Sequence, residues 1–207
     1  LDDAALAHED GLITKQPVRA LALALLRLPP DATLWDLGAG SGAVSLESAR
    51  LLTKGSVVAV ERNGERAAQI KSNVARTGAW LVEVVESTLE GFLGENGDYR
   101  SYRSHGTYEK AGQAQAGGPA PEPHASHRSH TSHSSSDSPT HIFLGGGASA
   151  EVLGRCASLL APGGRLVVTA VLLATLETAR AVIGEWGWPV AVHQLMHHAG
   201  SPLGNDL

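Results

Sequence analysis

The residues with the clearest chemical potential stand in Leu34–Glu47, LWDLGAGSGAVSLE. A short apolar run carries one acid, Asp36. Glycines follow at alternate positions, Gly38, Gly40 and Gly42, with Ala39 and Ser41 between them. Glycines in a strand-to-helix turn permit tight backbone conformations and let amides approach a ligand closely. Gly38 to Ala43 also satisfies a loose G-x-G-x-x-A dinucleotide fingerprint, a weak signal by itself. The acid discriminates between ligands. A pyrophosphate docked at this turn would be repelled by Asp36, and a cation would be attracted. S-adenosylmethionine carries a sulfonium and an ammonium and no phosphate, so it suits the pattern better than NAD. The competing reading is that Asp36 only caps the turn.

Glu61 ends the run SVVAVE, 19 positions after Gly42, with Arg62 beside it. An acid there can accept hydrogen bonds from both hydroxyls of a ribose, which serves either cofactor. After a third apolar run, Glu86, Ser87, Thr88 and Leu89 could line the adenine side, or be ordinary strand-end polarity. After a fourth stand Gly145, Gly146 and Gly147. A methyl acceptor belongs at the carboxyl ends of the central strands. The N/D-P-P-aromatic motif of enzymes that methylate exocyclic amino groups of nucleobases is absent here. Three glycines instead admit a bulky or carboxylated ligand, or simply turn the chain into the next helix.

The elements that must position these residues alternate along the chain. Val18, Leu21, Ala22 and Leu25 form a helical stripe over Gln16–Leu28, with Thr14 as cap and Pro17 in the first turn. Strands are expected at Thr33–Leu37, Ser56–Glu61, Leu81–Glu86, His141–Gly145, within PGGRLVVTAV, and at PVAVHQLMHH. Helices are expected at Ala43–Leu52, Glu65–Thr77, Glu151–Leu160 and Leu176–Trp186. This alternation predicts parallel βαβ units and a doubly wound, mostly parallel α/β sheet. Such sheets in methyltransferases usually finish with a seventh, antiparallel strand, which this sequence does not display.

At 207 residues the chain suits one large domain. A net charge of −5 argues against a general phosphate-backbone binder, so no nucleic-acid partner is expected. The longest apolar run, Leu166–Leu176, is too short to span a bilayer, so no membrane partner is expected either. Cys156 is the only cysteine, which excludes an intrachain disulfide and favours a reducing, cytoplasmic setting. It reads as a small buried residue on a helix. The N-terminus does not resemble a signal peptide and lacks an initiator Met, as expected for a piece of a longer protein. Residues 95–139 are rich in Ser, His, Gly, Pro and Ala and read as a disordered low-complexity insertion. His124, His127, His130 and His133 recur there at every third position. A metal tract is the sharp reading and a solvated loop the bland one; no metal site is expected.

DGLITKQPVRALALALLRL, LWDLGAGSGAVSLE, VVAVERN, IFLGGG and PGGRLVVTAVLL together resemble the C-terminal domain of the precorrin-6Y C(5,15)-methyltransferase (decarboxylating) family of cobalamin biosynthesis. Stand-alone cobalt-precorrin C(15)-methyltransferases are its relatives. The resemblance implies a Rossmann-like class I methyltransferase using S-adenosylmethionine. It implies methylation of carbon 15 of a precorrin tetrapyrrole with loss of the C-12 acetate carboxyl. It implies homo-oligomers, and fusion to an N-terminal methyltransferase domain that acts on carbon 5. It places Thr14, the Gly38–Gly42 loop, Glu61 and Leu89 at the cofactor. A substrate with many carboxylates needs cations, for which Lys15 and Arg19 are the candidates, with His193, Gln194 and His197 as further substrate contacts or proton donors. The sequence departs from the family at Ser87–Glu90, at Ala174, in the insertion and in the final strand. The remaining alternatives are a methyltransferase with another acceptor, a nicotinamide-dependent oxidoreductase, and a non-catalytic S-adenosylmethionine-binding module.

Overall fold

In a computed structural model of the chain, residues 1–3, 6–8, 13–94 and 138–196 are described. Five strands form one sheet: β1 (Thr33–Leu37), β2 (Ser56–Glu61), β3 (Val82–Glu86), β4 (His141–Leu144) and β5 (Arg165–Val168). Their order is β3-β2-β1-β4-β5, and every pairing is parallel. The helices are α1 (Gln16–Leu26), α2 (Ala43–Ala49), α3 (Gly64–Thr77), α4 (Leu89–Leu93), α5 (Ala150–Leu159) and α6 (Leu173–Glu185). The expected doubly wound sheet is present.

Strand alternation sorts the core into two layers. Leu34, Val57, Ala59 and Phe143 face one side, with Leu26, Leu46 and Ile70 of α1, α2 and α3. Trp35, Leu37, Val58, Val60, Ile142 and Leu144 face the other, with Phe92, Leu153 and Ala179 of α4, α5 and α6. Parallel strands covered on both faces read as continuous apolar runs, as these do. The period of two puts Asp36 on the α2 side, because Leu34 is on that side. Trp35 meets Phe92 edge to face at 4.9 Å, which docks α4 under the sheet. Cys156 is buried, and burial pushes its thiol up to about 12.

Two expectations are corrected. Residues 189–196, the described part of PVAVHQLMHH, form no strand. Their alternation is real, but among the described residues none of them pairs with a strand, and the outer edge of β5 stays without a partner. Val190, Val192, Leu195 and Met196 are exposed in consequence. The cap of α1 is Lys15 rather than Thr14, and it makes no side-chain cap hydrogen bond. The insertion with its histidine tract falls mostly at residues 95–137, outside the described residues, as do His197 and the tail where a seventh strand was sought.

Candidate active site

β1 hands the chain to α2 through Gly38–Gly42. Gly38, Gly40 and Gly42 take φ of 75°, 59° and 75°, where a side chain would be strained. The amides of Gly38 and Ala39 both donate to the Val60 carbonyl at 2.9 Å, which ties the loop to the end of β2. Packing also demands glycine at position 42, since a Cβ there would lie 2.7 Å from Ile70 Cγ2. Over Gly40 the space is open, because a Cβ there meets no atom within 4 Å. The loop is a fixed backbone cradle with room above it.

Glu61 closes one side of the cradle. Its Oε2 accepts the Gly40 amide at 2.9 Å and its Oε1 accepts the Asn63 amide at 3.0 Å. A carboxylate oxygen has two acceptor directions, so each retains capacity for a ribose hydroxyl. The same Asn63 caps α3 by accepting the Arg66 amide at 3.0 Å, which steadies the turn behind Glu61. Arg62, between them, is exposed.

Asp36 lies beneath the loop, 1% exposed. The Ser45 hydroxyl of α2 donates to its Oδ2. Its Oδ1 is buried and has no hydrogen-bond partner. Burial, with a smaller push from the Glu61 charge, raises its carboxyl to about 6. It is therefore ionised at neutral pH at a real cost. A buried acid with an unspent oxygen, coupled to a second acid, favours a cation above it and disfavours a phosphate. That donor set fits a sulfonium–ammonium ligand rather than a dinucleotide.

Asn73 was not anticipated from the sequence. It is fully buried on α3 and donates to the Ser41 carbonyl of the glycine loop at 3.2 Å. It also grips Ala7 twice, accepting its amide and donating to its carbonyl, each at 3.0 Å. One side chain thus joins α3, the cradle and the N-terminal segment. Its signal was a polar residue on the apolar stripe of Ile70 and Val74, where a side chain that is not apolar needs several partners.

The end of β4 meets both neighbouring loops. A Cβ on Gly145 would lie 3.0 Å from the Gly38 carbonyl, so that glycine serves the approach of the two turns. A Cβ on Gly147 would lie 3.1 Å from Leu89 Cδ1. Gly146 faces open space. The structure therefore brings Gly38–Gly42, Glu61, Leu89 and Gly145–Gly147 to one edge of the sheet. Ser87 continues β3, its amide bonded to the Glu61 carbonyl at 3.1 Å. Thr88 spends its hydroxyl capping α4.

Of the other expected site residues, Arg19 lies apart. Arg19 is completely buried. Its guanidinium contacts Glu47 Oε1 at 2.9 Å, the Thr14 and Leu1 carbonyls at 2.6 Å each, and Asp3. Every face of it is spent inside the fold, so it ties the N-terminal segment down and is corrected as a substrate contact. Thr14 is held through its carbonyl by that arginine and is half-buried. Lys15 is exposed at the start of α1. His193 is exposed on the unpaired 189–196 segment, and nothing fixes it against Gly145–Gly147.

A family model described as "Precorrin methyltransferase domain" matches residues 5–97 and 113–206. The chain belongs to that family. Among similar proteins is the precorrin-6Y C(5,15)-methyltransferase [decarboxylating] of Mycobacterium tuberculosis, 32% identical over 206 residues, covering 98% of this chain and 40% of that protein. The cobalt-precorrin-6B C(15)-methyltransferase (decarboxylating) of Salmonella typhimurium is 36% identical over 84 residues, 41% of this chain and 44% of its own length. A crystal structure of the C-terminal domain of precorrin-6Y C5,15-methyltransferase from Rhodobacter capsulatus has a TM-score of 0.64 and 26% identity, covering 99% of this chain and 88% of that one. The matched segments thus span 40% and 44% of those two curated relatives. Its sheet is the Rossmann-like sheet of class I methyltransferases.

Proposed function

We propose that this precorrin methyltransferase domain binds S-adenosylmethionine and methylates carbon 15 of a precorrin tetrapyrrole, with loss of the acetate carboxyl at carbon 12. The observation that carries the reading is the pair of buried acids around an open glycine cradle, Asp36 below Gly38–Gly42 and Glu61 against Gly40. Names of relatives supply the acceptor class. The reading includes a cytoplasmic setting and self-association; among the described residues no helix is long and apolar enough to cross a membrane.

Bound S-adenosylmethionine supplies an electrophilic methyl group. The residues of the chain supply orientation. Glu61 would hold the ribose hydroxyls, Asp36 would offset the positive charge, and Leu89 would give the adenine an apolar wall. The acceptor would lie across Gly145–Gly147, where the bare backbone at Gly146 leaves room for a bulky ring. Holding a nucleophilic carbon in line with the methyl group accounts for much of what such a site must do. When the acetate carboxyl leaves as carbon dioxide, the electron pair passes into the conjugated macrocycle and a proton later quenches it. The substrate is thus its own electron sink, and the protein must mainly grip and orient it.

The test is a mass measurement after incubation with S-adenosylmethionine and cobalt-precorrin-6B. A product heavier by one CH2 and lighter by one CO2 supports the reading. An unaltered acceptor, in a preparation that binds S-adenosylhomocysteine, overturns it.

A further inference from the structure

Three consecutive large aliphatic residues stand exposed where β5 passes into α6. Val171 is 98% exposed, Leu172 68% and Leu173 69%. Single exposed aliphatics are ordinary on protein surfaces, but three in a row are not scattered. The flanking chain packs normally, with Leu166 and Val168 on one side and Val182 and Ile183 on the other set against the core. The exposed run is confined to the turn between them and the first residue of α6.

That turn lies on the same edge of the sheet as the cofactor cradle. β5 runs parallel to β4, with Val168 opposite Leu144. Beyond it the Thr169 amide and hydroxyl both donate to the Leu144 carbonyl, at 3.0 and 3.3 Å. Thr169 is thus level with Gly145, and Val171 and Leu172 follow directly. Gly145 in turn abuts Gly38. The sheet edge therefore reads, from β2 outwards, Glu61, Gly38–Gly42, Gly145–Gly147 and then Val171–Leu173.

A cation reaches the same edge. α1 packs against β4 and β5. Its C-terminal turn lies at the amino edge, where the Ser56 amide bonds the Ala32 carbonyl at 3.0 Å. Eleven helical residues and five strand residues both span about 16 Å. The start of α1 therefore stands at the carboxyl edge, with Lys15 exposed there.

We propose that Val171, Leu172 and Leu173 form an apolar ledge carrying the flat face of the tetrapyrrole acceptor, with Lys15 serving a carboxylate on its rim. The proposal rests on the reading above and adds the residues that select the acceptor. A conjugated macrocycle has apolar faces and a charged rim, and the edge offers an apolar ledge and a lysine in that order. A ledge beside the bare backbone of Gly146 would hold the ring against the cradle without blocking the methyl group.

The experiment compares the wild-type chain with the pair Val171→Asp/Leu172→Asp, and with Trp80→Ser as an exposed-apolar control at the other edge. Affinities for S-adenosylhomocysteine and cobalt-precorrin-6B are titrated, turnover is followed, and mass is checked by light scattering. The ledge predicts a rise of about tenfold or more in KM for the acceptor in the double variant, with S-adenosylhomocysteine affinity unchanged and the control normal. The milder pair Val171→Ser/Leu172→Ser repeats the test if the aspartates disturb folding. Wild-type turnover that the variants match overturns the ledge and leaves the proposed function standing. A wild type that binds S-adenosylhomocysteine but not the acceptor overturns both. A change of oligomeric mass with acceptor KM unchanged assigns the run to contact between copies and overturns the ledge.

Discussion

Glu61 Oε2 accepts the Gly40 amide at 2.9 Å, which links the end of β2 to the most open point of the glycine loop. The carboxylate shapes the cradle and, on the proposed reading, faces the ligand. Glu61→Gln keeps one acceptor oxygen and replaces the other with a donor that clashes with a backbone N–H. S-adenosylhomocysteine affinity is expected to fall at least about tenfold, by calorimetry, with a smaller loss in thermal stability. An unchanged dissociation constant would remove Glu61 from the cofactor site.

Asp36 lowers stability when ionised, in the place where the proposed reading needs its charge. Its carboxyl is raised from 3.8 to about 6 in the fold, so the folded chain holds that proton more tightly than the unfolded chain. The stabilisation is complete below about pH 4 and is lost as pH rises through 6. At pH 7 the ionised acid costs about 3 kcal/mol on this shift. Asp36→Asn should therefore raise the melting temperature at pH 7, lose that advantage near pH 4, and bind S-adenosylhomocysteine more weakly. Melting curves of both proteins across that range check the sign. An advantage that does not change with pH would contradict the assignment.

Asn73 couples the cradle to the N-terminal segment through Ser41 and Ala7. Asn73→Ala leaves the Ser41 carbonyl and both Ala7 groups without it. S-adenosylhomocysteine affinity should drop about five- to tenfold while the protein remains folded. Val74→Ala, on the same helix and directed at the core, provides the comparison. If both variants lose equal stability but only Asn73→Ala loses affinity, the coupling is real. Equal affinities would make Asn73 a packing residue only.

Arg19 predicts the reverse split. It is buried with Glu47, Asp3 and two carbonyls. Arg19→Ala strips a buried guanidinium from Asp3, from two carbonyls and from Glu47, which then keeps only the Leu1 ammonium at 3.0 Å, a loss of about 3 kcal/mol. Chemical denaturation should show that loss. Acceptor KM, measured well below the transition, should not move. A raised KM in a fully folded variant would return Arg19 to the substrate.

The fold was legible because its signals are local. β1 and β2 fall where the apolar runs ended at glycine and acid, and Gly38–Gly42 makes the expected turn. Elements whose partners are not local were misread. PVAVHQLMHH carries a strand pattern, but a strand needs backbone pairing as well as alternation, and residues 189–196 pair with no strand. Arg19 reads from the sequence as a cation free to meet substrate carboxylates, because helical periodicity alone does not show that the N-terminal segment folds back over it. Asn73 gave only the weak signal of a polar residue on an apolar stripe. At the site, the residue types were readable and their layering was not. Asp36 lies beneath the loop, a consequence of strand alternation plus the position of Ser45, which no motif spacing records.

On the proposed reading the acid-backed glycine cradle discriminates, holding a nucleoside that carries an ammonium group and refusing a dinucleotide. Calorimetric titration of the chain with S-adenosylhomocysteine, and separately with NAD, measures it directly. Micromolar binding of S-adenosylhomocysteine is expected, weakened in Asp36→Asn and Glu61→Gln, with no heat from NAD. Saturable NAD binding, or no binding of S-adenosylhomocysteine by the folded chain, would contradict it.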